Sequence, residues 1–496
     1  MAEAEKSGAA QTEAATLEPN AFNSLLQKEF RPQTDRAKQE VDRAVKTLAE
    51  IALKNTTVIS ADVVETIKAM IAEIDRTLSK QINTILHHAD FQKLEGAWRG
   101  LHHLVTNTET DDQLKIRVMN VSKKDLHKTL KKFKGAAWDQ SPIFKKVYEQ
   151  EFGQLGGEPY GCLVGDYHFD QSGPDCELLG EMAKIASAIH APFIAGTSSS
   201  VLGFDSWSEL ANPRDLTKIF QTPDYAEWRS LREADESRYL GLTLPRFLAR
   251  KPYGAKNNPV EEFDFEEDTA GGADGSQYTW ANSAYAMAVN INRSFKLYGW
   301  CSRIRGIESG GSVEGLPTHT FPTDDGGVDM ACPTEVAISD RREAELAKNG
   351  FMPLVHKKNT DFAAFIGAQS LHKPEQYDNP DATANAQLGA RLPYLFATCR
   401  FAHYLKCIVR DKIGSFKGKE QMHRWLSEWI TQYVDGDPAN STENVKATKP
   451  LAAADVSLEE VEGNPGYYSA VFHLKPHYQL EGLTVSLRLV SKVPAK

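Results

Sequence analysis

Apolar positions in this chain recur at helical spacing in its first part and at strand spacing in its last. Over residues 34–53, Ala37, Val41, Ala44, Val45, Leu48, Ile51 and Ala52 fall on one side of a 3.6-residue period, with charges opposite. The pattern predicts an amphipathic helix. A second helix is predicted over 61–86, on the face Val63, Val64, Ile67, Met70, Ile71, Ile74, Leu78, Ile82 and Ile85. Between them Thr56, Thr57, Val58 and Ile59 favour β structure, and residues 54–60 form a linker that spans about 23–25 Å when extended. Upstream stands an apolar island, Phe22, Leu25, Leu26 and Phe30, closed by Arg31-Pro32 and preceded by a polar tail over 1–19. The tail has too little apolar surface to offset the entropy of ordering. The island suits docking into another protein's groove, or packing on its own domain.

From 91 to 152 short helices alternate with a strand predicted over 114–121. A strand at 161–166, a helix at 175–189 behind Pro174, and a strand at 191–196 then read as a βαβ unit. Residues 255–280 are acidic and Gly-rich and 305–330 Gly/Pro-rich, and loops this long usually touch something. Helices are predicted over 393–412, with Pro393 in the first turn, and over 419–434, with Met422, Trp425, Leu426, Trp429, Ile430 and Tyr433 on one face. After a polar linker at 435–449 the period falls to two. Tyr468, Ala470, Phe472 and Leu474 alternate with Ser469, Val471 and His473, and Leu483, Val485, Leu487 and Leu489 with Thr484, Ser486 and Arg488, which predicts a C-terminal hairpin turning at 476–482. The organisation expected is a tail (1–19), N-terminal helices with a strand-forming linker (20–90), a mixed α/β domain (91–380) and C-terminal helices with a hairpin (381–496).

Composition narrows the function. A net charge of -10 argues against nucleic acid as the principal partner. The lysines at 123, 124, 128, 131, 132 and 134 read as a solvated helix face. The six cysteines form no Cys-x-x-Cys pair, and fit reduced thiols in a cytoplasmic protein. The N-terminus has no basic-then-apolar leader pattern and no apolar run is long enough to span a bilayer, so a cytoplasmic chain without direct membrane insertion is expected. Chemistry is sparse. The loop after the first βαβ strand lacks Gly-x-Gly-x-x-Gly, and no P-loop motif occurs. Gly306 to Ser312 is a weak anion-cradle candidate. Ser198-Ser199-Ser200 does not fit a nucleophile elbow. The doublets His87-His88 and His102-His103 are poor chelates, because neighbours on a helix diverge by about 100°. His403 reads as a core histidine. The carboxylates at 261–268 read as a solvated loop or an electrostatic contact. No catalytic residue, cofactor site or metal site is expected.

The strings LTLPRFLARKPYG (242–254), EEFDFEED (261–268), GWCSRIRGIESGGSVEGLP (299–317), CPTEVAISDRREAELAKNGFMPL (332–354) and RFAHYLKCIVRDKIGS (400–415) resemble, in order, the large contractile-sheath subunit of type VI secretion systems, the TssC/VipB family. The likeness runs from about residue 20 to 494. It implies a structural protein related to phage tail sheaths, with an α+β fold: an N-terminal helical arm, a mixed α/β sheath domain, and a C-terminal β-containing domain completed by the small sheath subunit. Implied partners are that small subunit in an obligate heterodimer, further copies in stacked six-membered rings, an inner tube of the hemolysin-coregulated protein type, the baseplate, and the AAA+ unfoldase ClpV. By the same resemblance Phe22, Leu25, Leu26 and Phe30 dock the unfoldase. Thr56, Thr57, Val58 and Ile59 form the inter-subunit strand linker, and Phe472, Leu474, Val485, Leu487 and Leu489 lie on acceptor strands. Inner-tube contact is expected around the 419–434 helix, from Lys417, Lys419, Glu420, Arg424 and Glu428. Two rivals stand beside this reading: a homopolymeric phage-like tail sheath, and an α/β enzyme of unknown substrate.

Overall fold

A computed structural model describes residues 63–212, 215–261, 263–269, 275–322, 326–412, 418–460 and 468–479, with isolated positions 36, 39, 40, 43 and 47, which are helical. The predicted docking island, the strand linker, and Val485, Leu487 and Leu489 lie outside the described residues. By its contacts the chain forms two units. One comprises Met1–Phe91 with Pro252–Ala270, the other Gln92–Lys251 with Gly271–Lys496.

In the first unit, α1 (Val63–Leu86) realises the second predicted helix. Ile71, Leu78 and Ile85, seven residues apart, remain exposed along it. The acidic segment lies against this helix in an extended course. Phe263 is half-buried and Phe265, Glu267 and Thr269 are buried, whereas Asp264, Glu266 and Asp268 face outward. Asn83 grips the segment twice, donating to the Glu266 carbonyl at 3.2 Å and accepting from the Asp268 amide at 3.0 Å. Glu267 is turned inward, accepting from the Tyr253 amide at 2.9 Å with His87 Nε2 3.5 Å away. The run is therefore a docked segment with an inward carboxylate, not a solvated loop.

The second unit is built on a six-stranded sheet. Its strands are β1 (Leu163–Phe169), β2 (Phe193–Thr197), β3 (Leu240–Leu244), β4 (Ser312–Val313), β5 (Phe351–His356) and β6 (Ala363–Phe365), in the order β1-β2-β3-β5-β6-β4. The first four in that order run parallel; β6 is antiparallel to both β5 and β4. Among the described residues the main helices are α2 (Ala89–Thr106), α3 (Lys123–Lys132), α4 (Gly173–Ile189), α5 (Ala226–Glu233), α6 (Ser283–Tyr298), α7 (Asp340–Lys348), α8 (Leu392–Lys412) and α9 (Lys419–Thr431). Strand alternation sorts the sheet into two faces. Phe193, Ala195, Leu240, Leu242, Leu244 and Phe351 join one core with residues of α3, α4, α5 and α7. Ile194, Met352 and Leu354 join the other with α6 and α8. A sheet covered on both sides explains why every residue of β2 and β3 is buried.

The βαβ unit forms as predicted, with β1 and β2 paired in parallel through α4. The strand predicted over 114–121 does not form; the segment has no ladder partner. Side chains tether it instead, through ion pairs from Lys115 to Glu158 and from Arg117 to Glu151 and Glu158. The 305–330 stretch, expected as loop, carries β4 and a short antiparallel pair, Thr320–Pro322 with Val328–Met330.

At the C-terminal end β7 (Leu451–Glu460) pairs antiparallel with β8 (Tyr468–Pro476). Among the described residues β8, which carries Phe472 and Leu474, thus pairs with an upstream strand absent from the sequence expectation, and the strand expected over 483–489 lies outside the described residues. A third core holds the layer together: Trp300, Phe401, Leu426, Ile430, Leu451, Val456 and Leu458. His423 Nε2 is 2.8 Å from the Val456 carbonyl, fixing α9 across β7. The linker predicted at 435–449 contains a short helix, Glu443–Thr448.

Helix α2 shows how close the packing is. A Cβ on Gly96 would lie 2.4 Å from the Trp280 carbonyl oxygen, and one on Gly100 would lie 2.5 Å from the Tyr285 ring. Backbone cannot yield as a flexible side chain does, so Gly96→Val should destabilise the second unit by roughly 1–3 kcal/mol, read as a lower urea midpoint by circular dichroism. An unchanged midpoint would show that α2 is free to lift away.

Candidate functional site

The places where chemistry was sought turn out to be structural. Gly306 donates its amide to the Phe365 carbonyl at 2.7 Å, Gly311 donates to the Gly306 carbonyl at 2.8 Å, and Phe365 donates to the Gly311 carbonyl at 2.9 Å. The glycine-rich run stitches itself to β6, with these amides unavailable to an anion. Ser198 accepts from the Ser200 amide and from the Ser200 hydroxyl, capping a single turn. His103 is packed at 5.0 Å on the Phe247 ring. The lysine-rich helix α3 is partly neutralised: Lys123 meets Asp175 at 2.6 Å, and Lys134, Lys131 and His127 converge on Glu177 at 2.7, 3.8 and 3.0 Å. Hydrogen bonds from Lys134 and His127 hold the Glu177 carboxyl down at about 2. Among the described residues no group of three or more His, Cys, Asp or Glu side chains is placed to hold a metal ion. No described helix is long and apolar enough to cross a membrane.

His403 is buried, with Nε2 2.7 Å from the Ile189 carbonyl at the end of α4. Its Nδ1 is buried without a hydrogen-bond partner. Burial dominates and pulls its pKa down to about 4. That suits a neutral core histidine: Nε2 carries the proton and donates to the carbonyl.

What the molecule offers is surfaces. On α9, Leu426 and Ile430 are buried and Met422, Trp425 and Trp429 are half-buried, whereas Lys419, Glu420, Arg424 and Glu428 are all exposed. Glu420, Arg424 and Glu428 share the outer face of the helix, and Lys419 is exposed in its first turn, in line with the apolar side. Lys417 lies outside the described residues. On β8, Phe472 and Leu474 pack toward the aromatic core while Val471, His473 and Lys475 face outward. Among the described residues the β7–β8 ladder has two strands. The segment after β8 is anchored: the Gln479 amide donates to Tyr394 Oη at 3.0 Å, and its side chain bridges Arg305 and the Ser302 carbonyl at 2.9 Å each. The sequence reading missed β7 and this anchor. The alternation of Val456 and Leu458 was a signal for the strand, masked by Ala452 to Ala454.

The comparisons with known proteins match two successive stretches of the chain. Residues 68–372 match the family model described as EvpB/VC_A0108, tail sheath N-terminal domain. Residues 381–493 match the EvpB/VC_A0108 tail sheath gpW/gp25-like domain. A Pseudomonas aeruginosa PAO1 protein described as type VI secretion system sheath protein TssC1 is 73% identical over 495 residues, covering 100% of this chain and 99% of that protein. Among solved structures, the anti-feeding prophage baseplate aligns with a TM-score of 0.36 at 8% identity, over 64% of this chain and 65% of the other. The contracted helical sheath of the same prophage aligns with a TM-score of 0.28 at 11% identity, over 63% and 66%. Superpositions that loose carry no weight here; the two family models and the full-length relative do. From the end of its N-terminal segment almost to its last residue, the chain belongs to the EvpB/VC_A0108 tail-sheath family.

Proposed function

We propose that this chain is a structural subunit of the contractile sheath of a type VI secretion system, assembling with a smaller sheath subunit around an inner tube and contracting to drive the tube outward. The observation that carries the reading is the 73% identity, end to end, to a sheath protein of such a system. The role needs surfaces rather than an active site, and the chain acts without catalysis or cofactor.

Each surface has a part in the proposal. The β7–β8 hairpin is the core of a sheet that strands from the small subunit complete; main-chain hydrogen bonds made that way survive sliding of rigid bodies. Residues 54–60 supply a donated strand that ties rings together, and the island at Phe22, Leu25, Leu26 and Phe30 presents spent sheath to an AAA+ unfoldase. The exposed charges of α9 (Lys419, Glu420, Arg424 and Glu428) meet an inner tube of the hemolysin-coregulated protein type. The exposed stripe Ile71, Leu78 and Ile85 repeats every seven residues, as a helix paired with another helix does. The sheath grows from a baseplate in the cytoplasm as stacked six-membered rings. The division near residue 380 separates a sheath body from the C-terminal assembly layer.

Electron microscopy of the chain co-expressed with the small subunit tests the whole. Hollow tubes that require both chains are expected. Regular tubes from this chain alone would replace the heteromeric reading with a homopolymeric one. Small monodisperse particles in both cases would end the sheath reading.

A further inference from the structure

One thiol is set up differently from the buried ones. Cys332 and His356 are each half-buried. Cys332 Sγ lies 3.4 Å from His356 Nδ1 and 3.1 Å from Thr334 Oγ1. His356 ends β5, and the turn that follows closes with Lys357 donating to the Phe362 carbonyl at 2.9 Å, through Asn359 at φ 60°. That turn sets the Thr360 carbonyl 2.7 Å from His356 Nε2. A carbonyl only accepts, so Nε2 carries a proton, and in the neutral ring Nδ1 presents its lone pair to the thiol. The Thr334 hydroxyl donates to the Val336 carbonyl at 3.0 Å, which leaves the imidazole as the base for the thiol proton. Glu335, the neighbouring carboxylate, is engaged by Arg246 at 2.5 Å and does not oppose a thiolate freely.

Burial alone would raise the Cys332 thiol, but its contacts with His356 and with Thr334, the Thr334 backbone amide among them, outweigh burial and hold the thiol below its ordinary value. Burial would lower His356, and its contacts with Cys332 and Thr360 raise it instead. The contrast is with Cys162, Cys176, Cys301 and Cys399, whose thiols burial pushes up, to about 12 for Cys176 and Cys301. A partly buried thiol with a positioned base is the environment of a reactive cysteine.

We propose that Cys332 is a covalent modification site: a thiol activated by His356 that forms a mixed disulfide with low-molecular-weight disulfides. The Sγ proton passes to His356 Nδ1. The thiolate attacks one sulfur of the disulfide, the S–S bond breaks as the new one forms, and the departing thiolate takes up a proton. Cys332 is oxidised and the released thiol is the reduced product, so no further oxidant enters.

The test exposes the full-length chain, isolated with its assembly partners, to glutathione disulfide at pH 7. Mass spectrometry then measures the rate at each cysteine, normalised to the urea-unfolded chain. A parallel series with iodoacetamide gives the pH–rate profile at Cys332. Cys332 should be modified at least about tenfold faster than Cys407 on the normalised scale. H356Q and H356A should each lower that rate about tenfold and move the inflection of the profile upward, because one pKa unit is a tenfold change in thiolate. C332S should abolish the signal. The proposal is overturned if Cys332 reacts at the normalised rate of Cys407, or if both His356 variants leave its rate and inflection unchanged.

Discussion

Replacing Trp300 with alanine is expected to release the C-terminal layer while leaving the central sheet intact. Trp300 follows Gly299, which ends α6 at φ 76° and donates to the Phe295 carbonyl at 2.7 Å. The Ser294 hydroxyl holds the Trp300 carbonyl at 2.8 Å. The indole, 5% exposed, meets the Phe401 ring of α8 at 4.5 Å and the Tyr433 ring just beyond α9 at 5.4 Å. It also joins the core that contains Leu451, Val456 and Leu458 of β7. One side chain therefore ties the middle of the chain to two helices and the hairpin. Removing a buried indole costs about 3–5 kcal/mol. Because the cavity opens in the third core, the loss should be local. Hydrogen exchange should show α9, β7 and β8 losing protection by two or more orders of magnitude, with β1, β2 and β3 unchanged. Equal loss everywhere would mean that the layer folds as one with the sheet, and no loss would mean that the aromatic contacts hold nothing.

The second large effect is a loss of stability in mild acid. His403 has no acceptor for a proton at Nδ1, and His168 Nε2 is likewise buried without a partner. Burial lowers their pKa values to about 4 and about 3; the charges of Arg246 and Lys123 add to the effect at His168. The unfolded chain takes up these protons near the ordinary histidine value of about 6.5, so between there and the depressed values it binds more protons than the fold does. Stability is therefore complete above pH about 6.5 and falls as the pH drops toward 4 and then 3. A depression of this size corresponds to about 3 kcal/mol for His403 alone over the whole window. Glu177, held at about 2, contributes stability that is lost only below its ordinary value of 4.5, so it acts in a lower range. H403Q keeps a donor for the Ile189 carbonyl and removes the titration. Urea midpoints between pH 7.5 and 4.5 should fall less steeply for H403Q than for the parent chain. Identical slopes would mean that His403 titrates alike in both states.

The linear pattern carried most of the architecture. The 3.6 period of Val63 to Ile85 set α1, and the hydrophobic face from Met422 to Ile430 set α9 with its charged residues outside. The βαβ unit was legible because a strand buried on both sides has a continuous apolar run and its helix a proline at the start. The candidate surface was legible to the same depth: Glu420, Arg424 and Glu428 fall outward because a helix with one apolar face has only one other way to turn, and Lys419 is exposed because it opens the helix.

Pairing outside the βαβ unit was beyond the sequence. Among the described residues β8 pairs with β7, where Val456 and Leu458 find the aromatic core around Trp300, a long-range fit that an Ala-rich string does not announce. The residues at 114–121 are β-favouring but join no ladder and are held by ion pairs instead. The inward turn of Glu267 depends on the Tyr253 amide, fourteen residues away. So does the pairing of Cys332 with His356: 24 positions separate them, and a hairpin turn plus one backbone carbonyl made a base of the imidazole. Sequence by itself determined helices, strand runs and family, because these follow from local period and composition. Tertiary structure decided strand partners, the state of buried carboxylates and histidines, and which thiol has a base, because each depends on groups distant in the chain that meet only when the cores close.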